Sequence, residues 1–218
     1  MNSLKRDGRI AGLLFLFNFI AGVTVYQILQ GSVLISEDFL TLAAEHSNDL
    51  ILSVLLGMAS GIASVSISVI LFPIFKKHRL QLAVLYVAFC VIYFGAVMID
   101  NFGVLALLEV SKEYVKSGQA SALLPIGEIF SEAHWWTHYL SLITSCLPAF
   151  VLYLTLFVSK LIPRAISVFG LFAVVLMLVE LLSSIFGQSL SMNLMLPMGL
   201  VQLTLILWLL IKSFKEMD

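Results

Sequence analysis

Asp100, Glu180, His134 and His138 are the side chains of this sequence with the most chemistry to offer, and each stands in or beside a long hydrocarbon stretch. A carboxylate at the centre of a bilayer costs ~2.5–3.5 kcal/mol on insertion scales, so each acid calls for a partner or a wet cavity. His134 and His138 are four positions apart, which stacks both imidazoles on one face of a helix, with Ser141 and Ser145 continuing the stripe. Carboxylates and imidazoles together support two kinds of chemistry. They can hold a divalent metal, for which zinc fits nitrogen and oxygen ligands. They can also pass protons, because histidine titrates near neutrality. Asn101 and Ser184 are the nearest candidates to join the ligand or proton site, and Asp49 and Gln188 stand further out. A purely structural polar cluster accounts for the same residues and stays open beside both readings. His134-x-x-x-His138 is not the zinc-protease signature, which needs a Glu directly after the first His, where this chain has Trp135. His46 and Glu45 fall in a predicted loop.

The elements that must position these groups are membrane helices. The chain has 218 residues, of which 61% are hydrophobic and 11% charged, a balance no soluble domain of this size shows. A hydrocarbon core of ~30 Å takes about 20 helical residues. Six apolar stretches meet that length, near residues 9–30, 50–75, 80–108, 134–158, 163–187 and 193–211. The expected fold class is therefore all-α, a polytopic bundle of six transmembrane helices in one domain over 1–218. Asp100 then falls in span three, Glu180 in span five, and the two histidines at the start of span four. All four share the same end of an antiparallel bundle, and they could converge on one outward-opening pocket.

Charge placement orients the bundle. Lys5, Arg6, Arg9, Lys76, Lys77, Arg79, Lys160, Arg164, Lys212 and Lys215 lie on one side of a six-pass topology, and only Lys112 and Lys116 on the other. The positive-inside rule makes the first side cytoplasmic, with both termini inside. Glu37, Asp38, Glu45, Asp49, Glu109, Glu113, Glu128 and Glu132 then lie outside. The connectors at 31–49 and 109–133 are long; the second, with its Ser117-Gly-Gln119 run and Pro125, is expected to break into short surface helices. The first span lacks a small-residue cleavage site and reads as a retained helix. Trp135 and Trp136 suit an interfacial anchor.

Several function classes drop out. Cys90 and Cys146, isolated within spans, give neither a disulfide framework nor a zinc ribbon. No phosphate-binding glycine loop, nucleophile elbow or haem motif is present, and nothing points to nucleic acid. Ser53, Gly57, Ser60, Gly61, Ser64 and Ser68 recur at helical spacing in span two and read as a packing face that lets backbones approach. The cluster Lys76, Lys77, His78 and Arg79 reads first as the charge that orients the chain, and second as a contact for phosphate or lipid headgroups.

From Arg9-Ile-Ala-Gly-Leu-Leu onward, nearly the whole chain resembles a family of bacterial six-pass membrane proteins known as a domain of unknown function. The resemblance rests on that opening, on the basic turn after span two, and on Ser159-Lys-Leu-Ile-Pro163-Arg164 leading into Ile166-Ser-Val-Phe-Gly170-Leu. The ending Leu207-Trp208-Leu-Leu-Ile-Lys212 also resembles the family's. Its members often carry an Arg and a Glu in span three, where this chain reads Ala88-Phe-Cys90-Val-Ile-Tyr93, so any ion pair they form is not expected here. The resemblance implies a multi-pass protein of the bacterial cytoplasmic (inner) membrane and supplies no substrate.

The leading expectation is a protein that binds or transports a small solute, a proton or a metal ion through an outward-facing polar cavity. Asp100, Glu180, Asn101 and Ser184 would serve as ligand or proton sites, and His134 and His138 as gate or metal ligands. The rivals are an intramembrane hydrolase using metal-activated water, and a non-catalytic membrane protein that serves partners through its helix faces. The expected partners are the bilayer and a small solute or ion, with a homo-oligomer left open.

Overall fold

In hydrocarbon every backbone N–H and C=O must be satisfied within the chain, and a long apolar sequence does so as helix. The computed structural model describes residues 3–188 and 190–215 and contains no strand among them. The elements are α1 (Ser3–Val23), which runs into a π-helical segment (Thr24–Leu29), then α2 (Gly31–Leu34), α3 (Phe39–Glu45), α4 (Ser47–Lys76) and α5 (Leu80–Lys116). They are followed by α6 (Leu124–Ser159), α7 (Arg164–Ile185) and α8 (Leu196–Ile211), with short 3-10 turns at Ser121–Leu123 and Met192–Met195. Six helical stretches are long and apolar enough to cross a membrane: Ser3–Leu34, Ser47–Lys76, Leu80–Lys116, Ser121–Ser159, Arg164–Ile185 and Met192–Ile211. The all-α, six-span expectation stands.

The connector after span three differs from its expected form. In place of several surface helices, α5 simply continues to Lys116 and α6 begins at Leu124. At 1.5 Å per residue, the 37 residues of α5 run roughly 55 Å, well past a ~30 Å hydrocarbon layer. Two features carry the extension. Ion pairs Lys112–Glu109 (2.8 Å) and Lys116–Glu113 (3.5 Å) bridge successive turns on the outer face. On the inner face Tyr114 joins an apolar cluster with Val33, Leu34, Leu40, Leu50 and Leu107. The helix stops where Gly118 and Gln119 take positive φ, 72° and 64°, and the Gln119 amide turns back to the Tyr114 carbonyl at 2.9 Å.

The chain divides into two compact units. One comprises Ile20–Gly61 and Phe94–Ser141. Its core is that apolar cluster, which the connector helices α2 and α3 help to close. Gly57 and Gly61 lie on α4 here, and a Cβ on them would meet Asn101 and the Phe94 ring respectively, so these two glycines let α4 pack against α5, whereas Ser53 of the same stripe accepts from Gln30. The other unit comprises the chain up to Phe19, Ile62–Tyr93 and the chain from Leu142 onward. Its two termini are tied together: the Ser213 hydroxyl donates to the Lys5 carbonyl at 2.8 Å, over Gly8. The Lys215 amide bonds the Leu161 carbonyl of the α6–α7 turn at 2.9 Å. The first helix therefore starts, and the last ends, at one end of this unit.

Candidate functional site

Asp100 is 20 residues into α5, roughly 30 Å from its start, near the far edge of a hydrocarbon layer. Its side chain is only 4% exposed, so its charge must be met by protein. Within its own unit it is. His134 Nδ1 lies 3.2 Å from Oδ1, and His138 Nδ1 lies 3.3 Å from Oδ2. The Thr137 hydroxyl stands 3.2 Å from Oδ1 and 2.8 Å from the His134 carbonyl, and its single proton serves one of them at a time. Residues 134, 137 and 138 share one face of α6 by helical spacing alone. Gly103 lets that face come close: a Cβ there would sit 3.4 Å from the Thr137 hydroxyl and 3.5 Å from the His134 backbone.

The two imidazoles are not equivalent. His138 is hydrogen-bonded to the carboxylate and 15% exposed at its side chain. His134 is 3% exposed, and its Nδ1, although close to Asp100, lies off the direction of a hydrogen bond and has no other partner. An ionised carboxylate only accepts, so the His138 ring proton that faces it belongs on Nδ1, which leaves its Nε2 as the other ring position. Aromatic rings pack around the outer imidazole. Tyr26 stands 4.7 Å from the His138 ring, centroid to centroid, and Trp135 meets it edge-on at 6.0 Å.

Tyr26 was not among the expected site residues. It sits in the π-helical segment Thr24–Leu29, whose wider winding shifts side chains off the positions that a 3.6-residue period gives. Just after it, buried Gln30 donates to the Ser53 hydroxyl at 2.8 Å, which fixes the end of that segment to α4. Thr137 was legible in principle, since it is three positions from His134 on the same stripe.

The other expected members are engaged elsewhere. Asn101 turns toward α4, donating to the Val54 carbonyl at 3.2 Å with its side chain against Gly57. Glu180 belongs to the other unit. There Oε1 accepts from the Ser184 hydroxyl at 3.1 Å, and Oε2 accepts from the backbone amides of Leu190 and Ser191 at 3.2 and 3.0 Å. Glu180 thus clasps the connector between α7 and α8, with Ser184 as its helper. Gln188 marks the end of α7, its amide bonded to the Ser183 carbonyl at 2.9 Å. Asp49 pairs with His46 at 3.0 Å on the surface. Among the described residues, no three His, Cys, Asp or Glu side chains are arranged to hold a metal ion. At the Asp100 cluster both Nδ1 atoms lie within 3.3 Å of carboxylate oxygens, and of the two His138 is the one aligned for a hydrogen bond.

No curated protein and no solved structure matches the chain. A family profile does, over residues 10–213, which takes in most of α1 and all of the helices from α2 to α8. The chain belongs to the family described as Domain of unknown function (DUF4386).

Proposed function

We propose that this membrane protein moves a small solute in step with protons, and that Asp100, His134 and His138 are its proton-binding centre. One observation carries the reading: a single buried carboxylate held between the Nδ1 atoms of two imidazoles. With both histidines neutral the centre has a net charge of −1, with one imidazolium zero, and with two +1. Low local dielectric penalises any uncompensated charge, so the zero state is favoured and one proton is shared between two positions. His138, the more exposed imidazole, is the point of exchange with water, and His134 is the inner position. Thr137 switches its hydroxyl between Asp100 and the His134 carbonyl as the carboxylate's other partners change. The many basic residues at the 76–79 turn and at both chain ends favour an orientation with both termini inside. The family resemblance favours a bacterial cytoplasmic membrane.

Nitrogen NMR of histidine-labelled protein in lipid tests this directly. The nitrogen signals of His134 and His138 are expected to change in Asp100→Asn, which takes the carboxylate from beside both rings. Unchanged His134 and His138 nitrogen signals in Asp100→Asn overturn the proposal. Near-stoichiometric zinc in the purified protein, lost in His134→Ala and His138→Ala, replaces it with a metal site. In proteoliposomes, dissipation of an imposed pH gradient should fall at least about tenfold in Asp100→Asn, the loss expected when an essential proton carrier is removed.

A further inference from the structure

A second feature of the molecule belongs to the other unit, where α4 turns into α5. Val69 and Phe72 of α4, with Val84, Val87 and Ala88 of α5, line a groove of about 390 Å³. All five side chains are hydrocarbon, and Val69 and Val84 are 59% and 50% exposed. The groove is close to the turn that joins its two walls. Phe72 and Val84 are each about one helical turn, ~6 Å, from that turn, and Val69 and Ala88 about two turns, ~11 Å.

The turn itself is Lys76, Lys77, His78 and Arg79. Lys76, Lys77 and Arg79 are exposed, and among the described residues no carboxylate pairs with them. The contrast with Lys112 and Lys116, each held by a glutamate one turn away, is plain. His78 Nε2 is buried without a hydrogen-bond partner. Its imidazole is held below the ordinary 6.5 by burial and then by the Lys77 charge, which fits an uncompensated positive field at the turn.

We propose that this groove and turn form a binding site for one anionic phospholipid, with an acyl chain along Val69, Phe72, Val84, Val87 and Ala88 and the phosphate on Lys76, Lys77 and Arg79. The chemistry of the two ends matches the two ends of such a lipid at the right separation. Arg79 offers a planar fork for two phosphate oxygens, while the lysines add point charge. Orientation by positive charge needs basic residues at this end but no groove beside them. A bare acyl contact needs the groove but no cations. The coincidence of both within two helical turns is what a lipid site requires.

Native mass spectrometry of the full chain in detergent, titrated with phosphatidylglycerol or phosphatidylcholine of matched acyl chains, tests this. Phosphatidylglycerol is expected to be retained at least about fivefold more tightly, the scale of one basic contact with an anionic surface. Lys76→Gln/Lys77→Gln/Arg79→Gln should bring it down to the phosphatidylcholine level. Ala88→Phe, which fills the groove and leaves every cation in place, should weaken both lipids. Glycerophosphate, a headgroup without chains, should not compete. Equal retention of the two lipids overturns the proposal, as does Ala88→Phe binding like wild type or full competition by glycerophosphate. If the triple variant fails to fold, as read by its melting in phosphatidylcholine micelles, Lys77→Gln and Arg79→Gln singly must each reduce the preference, and the proposal falls if neither does.

Discussion

Among the described residues two carboxylates are buried, Asp100 and Glu180, and their partners could hardly differ more. Asp100 is met by two imidazoles and a threonine hydroxyl. Glu180 is met by two backbone amides and a serine hydroxyl. A backbone amide always donates and never takes up a proton, so the Leu190 and Ser191 contacts fasten a connector to Glu180 without offering a group that titrates. An imidazole changes state within the physiological range, so Asp100 is surrounded by groups that can exchange what they donate. An acid within a membrane helix is therefore classified by its partners, not by its depth or its residue type.

The sharpest way to break this comparison is to remove each acid in turn. Asp100→Ala strands the buried His134 and the partly exposed His138 beside an empty acceptor position, and breaking a buried ionic pair from one side costs ~3–5 kcal/mol. Its unfolding midpoint in detergent should drop furthest of all the variants, with Asp100→Asn falling less because the shape and one acceptor remain. A midpoint equal to wild type in Asp100→Ala would mean the clamp has no energetic substance. Glu180→Gln weakens hydrogen bonds to two amides and should cost roughly 1–3 kcal/mol. Faster amide hydrogen exchange at Leu190 and Ser191 is the specific sign, with the nitrogen signals of His134 and His138 left as in wild type. If those signals moved instead, Glu180 would be part of the proton chemistry and the contrast would dissolve.

Asn101 offers a finer test, because it neighbours Asp100 in sequence and faces the other way. A Cβ on Gly57 would come within 2.9 Å of Asn101 Oδ1. Gly57→Ala should therefore push Asn101 off the Val54 carbonyl and cost ~1 kcal/mol, one hydrogen bond's net worth. The His134 and His138 nitrogen signals should not respond, and a response would place Asn101 in the proton site after all.

What the sequence revealed follows from which physical signals are local. Six spans were legible because hydrocarbon length is written residue by residue, and the Asp100–histidine meeting because His134 and His138 share a helical face. The 109–133 stretch was misread because Ser117, Gly118 and Pro125 do mark a break, yet the break occupies only the few residues between Lys116 and Leu124. What extends α5 is burial of Tyr114 against residues 33–50, a contact between segments far apart in sequence. The fate of Glu180 was hidden for a related reason. Its partners are main-chain amides of a connector, and main-chain donors carry no sequence signature. Tyr26 depends on a π-helical winding that no regular period encodes.

The smallest expected effect concerns an imidazole with no carboxylate at all, which makes it the natural control for the pair at Asp100. His78 lies in the α4–α5 turn, and burial, followed by the Lys77 charge, lowers it from the ordinary 6.5. Acidification therefore charges the unfolded chain's histidine before the folded one's. The stability His78 contributes is present in full above pH 6.5 and declines as pH falls through 6.5 toward its folded value. The loss should be slight, since the side chain is only partly buried and solvent screens the lysine. Proton NMR should find a single, uncoupled titration for His78 with its midpoint below 6.5. Lys77→Ala should raise that midpoint without restoring it fully, because burial is the larger cause. Asp100→Asn should leave it where it is. An imidazole that ignores the Asp100 substitution, beside two whose nitrogen signals follow it, would isolate the shared carboxylate as what sets the pair apart.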